Sequence, residues 1–450
     1  MKKSILSLAC VMTAIAFAPQ AFAVPAFSRQ TGQTCSSCHF QHFPLLNATG
    51  QEFKASGFTK MSANNKFKGD ELSIPDQVNL SGFTTTYFQT ESSGKTGGVA
   101  NAATVPKWGV PATGGEFSLF IGGRISSFMG FLAEAGLGGG GANDVTGNGN
   151  TTGTGVIGTS PGGGVVGDAK LVMLFPVGDA RIGPVIYTNN GQGAAYSFEL
   201  LNTGAVNTQK MMGNNGPNNQ HVRASYAAQY LNTNQSATGV HLVANNSMGF
   251  INIGAYEMAG NQMVGGANNL NLRYIRVAST MEYKGWETGF GIQNFGGTST
   301  VTGVTPKATI IDAQMQSDLG GTSVGIYASY GTAAAGSSDA AGANPFNPAG
   351  GKGGAVFVAG SKSASSFNLA AEFGVIPHGT IQVAMRMAKN GAAIDNGDNA
   401  LMLGVTYELV QNVGLSFHHT MQSGSAWNTD AAGNQTSGKN SNTLLLEALF

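Results

Sequence analysis

Between about Gln77 and Phe450 the chain is a run of short segments in which apolar and polar residues alternate, joined in turn by tight turns and by long loops. A period of two puts successive side chains on opposite faces of a strand. The last segment shows the consequence: Leu444, Leu446, Ala448 and Phe450 share one face, while Thr443 and Glu447 take the other. Phe117-Ser118-Leu119 and the run from Leu401 to Tyr407 behave similarly. Apolar outside and polar inside is the pattern of a closed barrel in lipid, where no strand edge is left unpaired.

Strands are predicted at 77–90, 116–127, 129–138, 165–176, 180–189, 238–245, 249–258 and 268–281, then at 286–296, 307–318, 322–333, 363–375, 379–389, 399–409, 412–421 and 442–450. Val177-Gly178-Asp179, Asn246-Ser247-Met248 and Val410-Gln411 are tight connections, whereas 91–115, 139–164, 190–237, 334–362 and 422–441 are long and rich in Gly, Asn, Ser and Thr. Short turns on one side, long loops on the other and an even strand count belong to bacterial outer-membrane barrels, whose short turns face the periplasm. The expected fold is therefore all-β: an outer-membrane antiparallel β-barrel of about sixteen strands over 77–450. An aromatic final residue, Phe450, is what outer-membrane assembly machinery commonly meets. The longest loop, 190–237, either enters the lumen or stays outside, and its Tyr226–Leu231 segment is either helical or an extra strand.

Composition narrows the alternatives. Charged residues make up 10% of the chain, against about 25% in a globular domain. A soluble β-sandwich of this length would carry more surface charge, and no fixed repeat period marks a solenoid. Lys+Arg and Asp+Glu are both 23, a balance that argues against a nucleic-acid partner. The lipid of the outer membrane is the expected surrounding.

The N-terminus has its own logic. Met1-Lys2-Lys3, an apolar run from Ile5 to Ala18 and Ala21-Phe22-Ala23 form a signal peptide over 1–23, so the mature chain should begin at Val24. Only Cys35 and Cys38 then remain, within Cys35-Ser36-Ser37-Cys38-His39. Two thiols at this spacing can each add to a haem vinyl group, and the adjoining histidine is placed to bind the iron. A zinc site would need a second cysteine pair to complete a tetrahedron.

Cys35 and Cys38 are the candidate thioether residues, His39 the candidate proximal ligand and one covalently attached haem c the expected cofactor. Met61, 22 residues beyond His39, is the favoured distal ligand, since the chain between them is long enough to wrap the ring. His42 would stay on the proximal side, bonded to a propionate or exposed. Phe27, Phe40 and Phe43 either wall the haem or pack an ordinary core. The segment from Pro44 to Ser56 reads as a short helix stopped by Gly57. Together 24–76 form a small helical monohaem module ahead of the barrel.

No constellation for hydrolysis is present. His418 and His419 point to opposite faces of a strand, His221, His241 and His378 stand apart, and Gly138 to Gly141 lacks the following lysine and helix of a phosphate cradle.

Val24-Pro25-Ala26-Phe27-Ser28-Arg29-Gln30-Thr31-Gly32 precedes the haem motif, and Pro44, Leu46, Gly50, Phe53, Lys54 and Gly57 follow it. Over these positions the chain resembles the fused cytochrome c–porin family, the outer-membrane iron-oxidising monohaem cytochromes. It departs from them in Asn47-Ala48-Thr49, where a Thr-Pro-Phe-like run is expected. The resemblance implies an electron-transfer protein rather than a conventional enzyme, carrying electrons from an extracellular electron donor, often Fe(II), through the haem held by Cys35, Cys38 and His39 to a periplasmic electron carrier. The competing expectations are a solute-transporting porin with a structural or gating haem module, and a small-ligand sensor with five-coordinate iron.

Overall fold

The computed structural model describes residues 25–450 apart from 63–65, 70–71, 77, 97–98, 101–106, 112–113, 138–165, 205–225, 259–268, 301–302, 337–341, 348–361 and 429–438. The expected signal peptide over 1–23, His221 and most of the long loops lie outside the described residues.

Sixteen strands close into one antiparallel barrel. They are β1 (Leu80–Glu91), β2 (Phe117–Arg124), β3 (Met129–Gly136), β4 (Val166–Met173), β5 (Ala180–Asn189), β6 (Ala237–Asn246), β7 (Gly249–Glu257) and β8 (Leu272–Tyr283). The second half comprises β9 (Trp286–Gly296), β10 (Ala308–Leu319), β11 (Thr322–Ala333), β12 (Ala364–Ile376), β13 (Gly379–Lys389), β14 (Asn399–Val410), β15 (Val413–Ser423) and β16 (Asn440–Leu449). All sixteen fall within a few residues of the expected ranges. The ring closes where β16 pairs with β1, from Ser441↔Glu91 to Leu449↔Phe83. Phe450 extends that seam by exchanging backbone hydrogen bonds with Gly82, and its ring lies where a side chain on Gly82 would stand. One departure is the segment Lys107–Pro111, expected as loop, which pairs with Tyr87–Gln89 on the far half of β1 while β2 pairs with the near half.

The period-two pattern sorts as physics requires. Ile186, Leu242, Ile253, Val277, Ile292, Ile311, Leu403 and Leu444 are exposed on the outer wall. Between them His241, Asn252, Arg276, Gln293, Asn368, Gln382, His418 and Thr443 are buried inside. A wall apolar on its outer face, with every main strand paired on both sides, is the form in which strands can cross a bilayer.

The lumen is filled from both ends. At the short-turn mouth lies the N-terminal module: α1 (Ala26–Thr31), a single tight turn at Cys35–Ser37 and α2 (Ala48–Ala55). The helix expected from Pro44 begins four residues later, because Asn47 caps it through Gly50 N–H at 3.0 Å while Pro44 and Leu45 belong to a hairpin that returns to Cys38. Its predicted stop holds: Gly57 takes a φ of 71°, and its N–H bonds Lys54 O. From the long-loop end, residues 190–204 fold inward, with Tyr196, Phe198, Leu201 and Asn202 all buried. Tyr226–Leu231 also enters, as a helical turn over Ala227–Tyr230. The described parts of the loop left open by sequence, 190–204 and Tyr226–Leu231, therefore turn into the lumen. Leu201 reaches the wall only because Gly289 offers no side chain there: a Cβ would lie 2.5 Å from Leu201 Cδ2.

Candidate functional site

The Cys-x-x-Cys-His segment is wound into one turn, with Cys38 N–H and His39 N–H both donating to Cys35 O at 3.1 and 2.9 Å. This puts both sulfurs and the imidazole on a single local frame. Cys35 and Cys38 are free thiols, each partly exposed. Burial raises the pKa of both above the ordinary thiol value. At Cys38 the neighbouring Cys35 adds to the rise and Lys60 opposes it. Cys35 Sγ faces Asn412 Oδ1 at 2.8 Å, at the turn joining β14 and β15. A thioether sulfur has no proton to donate, so attachment of haem would end that bond while leaving Cys35 against this turn.

His39 is prepared for one role. Its Nδ1 lies 3.0 Å from Leu45 O, so the ring donates there and leaves Nε2 free. Burial pushes the His39 pKa down to about 4, against the opposing pull of the Leu45 and Pro44 carbonyls. A neutral imidazole with its distal nitrogen available and its proximal one fixed on a backbone carbonyl is the arrangement of a metal-ligating histidine. The donor set fits a covalently held haem: when bound, that group would supply a one-electron iron centre whose potential is set by ligation and burial.

The surrounding chain explains how the turn is held. Asn47 N–H donates to Cys38 O at 3.0 Å and Phe40 N–H to Leu45 O at 2.9 Å, closing a hairpin over residues 38–47. Gly50 on α2 sits directly on the motif, where a Cβ would lie 2.2 Å from Cys38 O. Phe43 packs edge-on to His39 at 5.2 Å and reaches Phe83 on β1 at 5.9 Å. Phe27 stacks on Phe58 at 5.1 Å and touches Phe53 at 4.8 Å. Of the three aromatics singled out, Phe43 alone contacts the iron-ligand candidate, while Phe27 packs the module core and Phe40 packs against the buried lumen cluster. Phe83 joins the site from a wall strand, and no local motif distinguishes it in the sequence.

Met61 is half-buried at the end of the module. Its neighbour Ser62 donates its N–H to Gln30 O at 3.2 Å, which keeps this segment beside α1.

His42 is neither exposed nor directed to solvent. Its Nε2 lies 2.6 Å from Glu372 Oε2 on β12, with side-chain exposures of 13% and 0%. Burial lowers its pKa, but Glu372 more than compensates and the result is raised to about 9. Of the two expectations for His42, a propionate bond or exposure, the second is corrected: its partner comes from the barrel wall, 330 residues away in the chain.

Further wall contacts ring the module. Gln41 Nε2 donates to Ser323 O and Glu372 O at 2.9 and 3.1 Å. Arg124 donates to Thr59 O at 2.9 Å, and Gln30 Oε1 accepts from Arg124 N–H and Asn79 Nδ2. Glu287 Oε2 accepts the first amide of α2, Ala48 N–H, at 3.0 Å, an acid at the positive end of the helix. Deeper, the inward loop meets the module where Asn202 pairs with both backbone groups of Leu46, at 2.8 and 2.9 Å. That loop is pinned in turn by Arg276 on β8, which bridges Glu199 and Asp312, all three fully or nearly fully buried.

No family model and no curated protein matches the chain. Solved structures with similar shape include the outer membrane channel DcaP of Acinetobacter baumannii, at 11% identity over 86% of this chain and 100% of that one, with a TM-score of 0.46. Salmonella typhi OmpF in complex with daunomycin is 10% identical over 86% and 100%, with a TM-score of 0.47. OmpT of Vibrio cholerae is 10% identical over 83% and 99%, with a TM-score of 0.44.

Proposed function

We propose that this protein is an outer-membrane electron conduit. A covalent c-type haem on Cys35, Cys38 and His39 stands at the short-turn, periplasmic mouth of the barrel and passes electrons from an extracellular donor, Fe(II) being the first candidate, to a periplasmic carrier. The observation that carries this reading is the His39 geometry: a neutral ring with Nδ1 committed to Leu45 O, on the same turn as two free thiols. The chain's own residues then have clear duties. Leu45 orients the ligand, Phe43 and Phe83 shield its edge, and Asn412 and Gly50 set the face that the turn presents. Met61 is proposed as the distal ligand. A bilayer core about 30 Å thick is a long gap for a single electron step, and holding the centre inside the mouth shortens it.

Free solute passage fits the geometry less well, because the module and the inward loop occupy the lumen. The test is a haem-stained denaturing gel followed by reconstitution of the holoprotein into vesicles with Fe(II) supplied outside. Covalent haem on the band, absent in Cys35→Ser/Cys38→Ser, and a reduced visible spectrum on Fe(II) addition are expected. A blank stain, or vesicles that pass small sugars while the spectrum never changes, would overturn the reading.

A further inference from the structure

Registers on the outer wall bring two cations to the same level. Arg273 on β8 pairs with Gly296 on β9. Asn294↔Thr309 and Phe295↔Ala308 carry the β9–β10 ladder to its end, so Lys307, the next residue, stands beside Gly296 on the other side. Both cations are exposed, and both alternate with the buried lumen residues Leu272, Tyr274 and Ala308. Gly296 between them has open space where a side chain would be. Neighbouring strands lie about 4.8 Å apart, so the two cations flank a gap two strands wide. Neither side chain makes a hydrogen bond or ion pair among the described residues.

The gap opens into a recess of about 700 Å³ lined by Arg273, Ile275, Asn294, Thr298 and Thr300. Glu257, the acid beneath it, is fully buried, with its carboxylate engaged by Met258 N–H and Thr300 N–H. One register step towards the short turns the outer face reads Ile275, Asn294, Thr309. A further step reads Val277, Ile292, Ile311, all exposed and apolar. Two unpaired cations and hydroxyls therefore sit directly above a hydrocarbon-facing stripe, at the long-loop end of the wall.

The geometry points to a lipid-binding site: a phosphate-bearing lipid headgroup held between Arg273 and Lys307 across Gly296, with its acyl chains along Val277, Ile292 and Ile311. A guanidinium offers paired donors to phosphate oxygens and an ammonium adds a point charge. At this level, near the interface, an exposed cation costs the wall only about 0–1 kcal/mol, and an anionic headgroup attracts it. The site is independent of the haem and of the conduit reading.

Native mass spectrometry of the detergent-solubilised holoprotein tests it, with phosphatidic acid, phosphatidylcholine and inorganic phosphate as probes. Phosphatidic acid should be retained in preference to phosphatidylcholine. Retention should fall about tenfold in Arg273→Gln and again in Arg273→Gln/Lys307→Gln, the scale of a lost charged hydrogen bond. Lys389→Gln removes another exposed wall cation and should change nothing. Equal retention in the double variant, an equal loss in Lys389→Gln, or no preference for phosphatidic acid would overturn the proposal. Displacement of the lipid by millimolar inorganic phosphate would also overturn it, by showing a free-anion site.

Discussion

Replacing Glu372 by Gln should loosen the haem module from the barrel in a manner that depends on pH. Glu372 Oε2 accepts from His42 Nε2 at 2.6 Å with the carboxylate fully buried, and Gln keeps the volume while removing the charge. A charged hydrogen bond contributes about 1.5–3 kcal/mol, so the population of undocked module should rise about tenfold to a hundredfold. The sign with pH follows from His42, whose pKa is raised to about 9. A group raised on folding stabilises fully below its unfolded value, near 6.5, and loses that contribution as pH climbs through about 9. Glu447 reinforces the attraction, while His39 and His418 are the other titratable groups that feel the His42 charge. Amide hydrogen exchange over residues 38–47 of the holoprotein, corrected for intrinsic rates, reads the effect from pH 6 to pH 10. Wild-type protection should decline between about pH 6.5 and about pH 9 towards that of Glu372→Gln, whose own profile stays flatter. Parallel profiles, or wild-type protection unchanged across the range, would refute the assignment of His42 as a charged latch.

Two further outcomes follow from the same packing. Gly50→Val places atoms against Cys38 O, where even a Cβ would come within 2.2 Å; overpacking costs about 1–3 kcal/mol, and haem-stained gels should show a markedly lower yield of attached haem with normal barrel assembly. Asp312→Asn breaks the buried Arg276 cluster that pins the inward loop. Arg276 keeps Glu199, so the loss is that of a charged hydrogen bond, about 1.5–3 kcal/mol, and single-channel recordings should show larger and noisier conductance than wild type.

The wall was legible because it is local. In the run from Leu272 to Val277, buried Leu272, Tyr274 and Arg276 alternate with exposed Arg273, Ile275 and Val277, and that alternation can be read without knowing any partner. Turn chemistry helped: Gly178, in the tight connection Val177-Gly178-Asp179, takes a φ of 59°, so the strand ends beside it could be placed within a few residues. The juxtaposition of Cys35, Cys38 and His39 was legible for a similar reason, since their spacing alone puts them on one turn. The start of α2 was misplaced because proline marks both helix starts and hairpins. What decided between them was Asn47, whose capping bond to Gly50 depends on the return of the chain onto Cys38 O.

The partners of the module could not be read, because they arrive across hundreds of residues. His42 meets Glu372, Leu46 meets Asn202, Ala48 meets Glu287 and Cys35 meets Asn412. In the sequence Glu372 and Glu287 are ordinary inward-facing strand residues, Asn412 a turn residue and Asn202 one polar residue of a long loop. Period-two alternation states that a polar side chain faces the lumen, but not what it finds there. Glu199, Arg276 and Asp312 make the point: Arg276 on β8 and Asp312 on β10 are both inner-wall residues that meet across Gly291, but nothing in their alternation announces Glu199, the second acid on the same guanidinium. It is the burial of Glu199 beside that wall pair, rather than any unmatched charge on the wall, that makes residues 190–204 part of the plug.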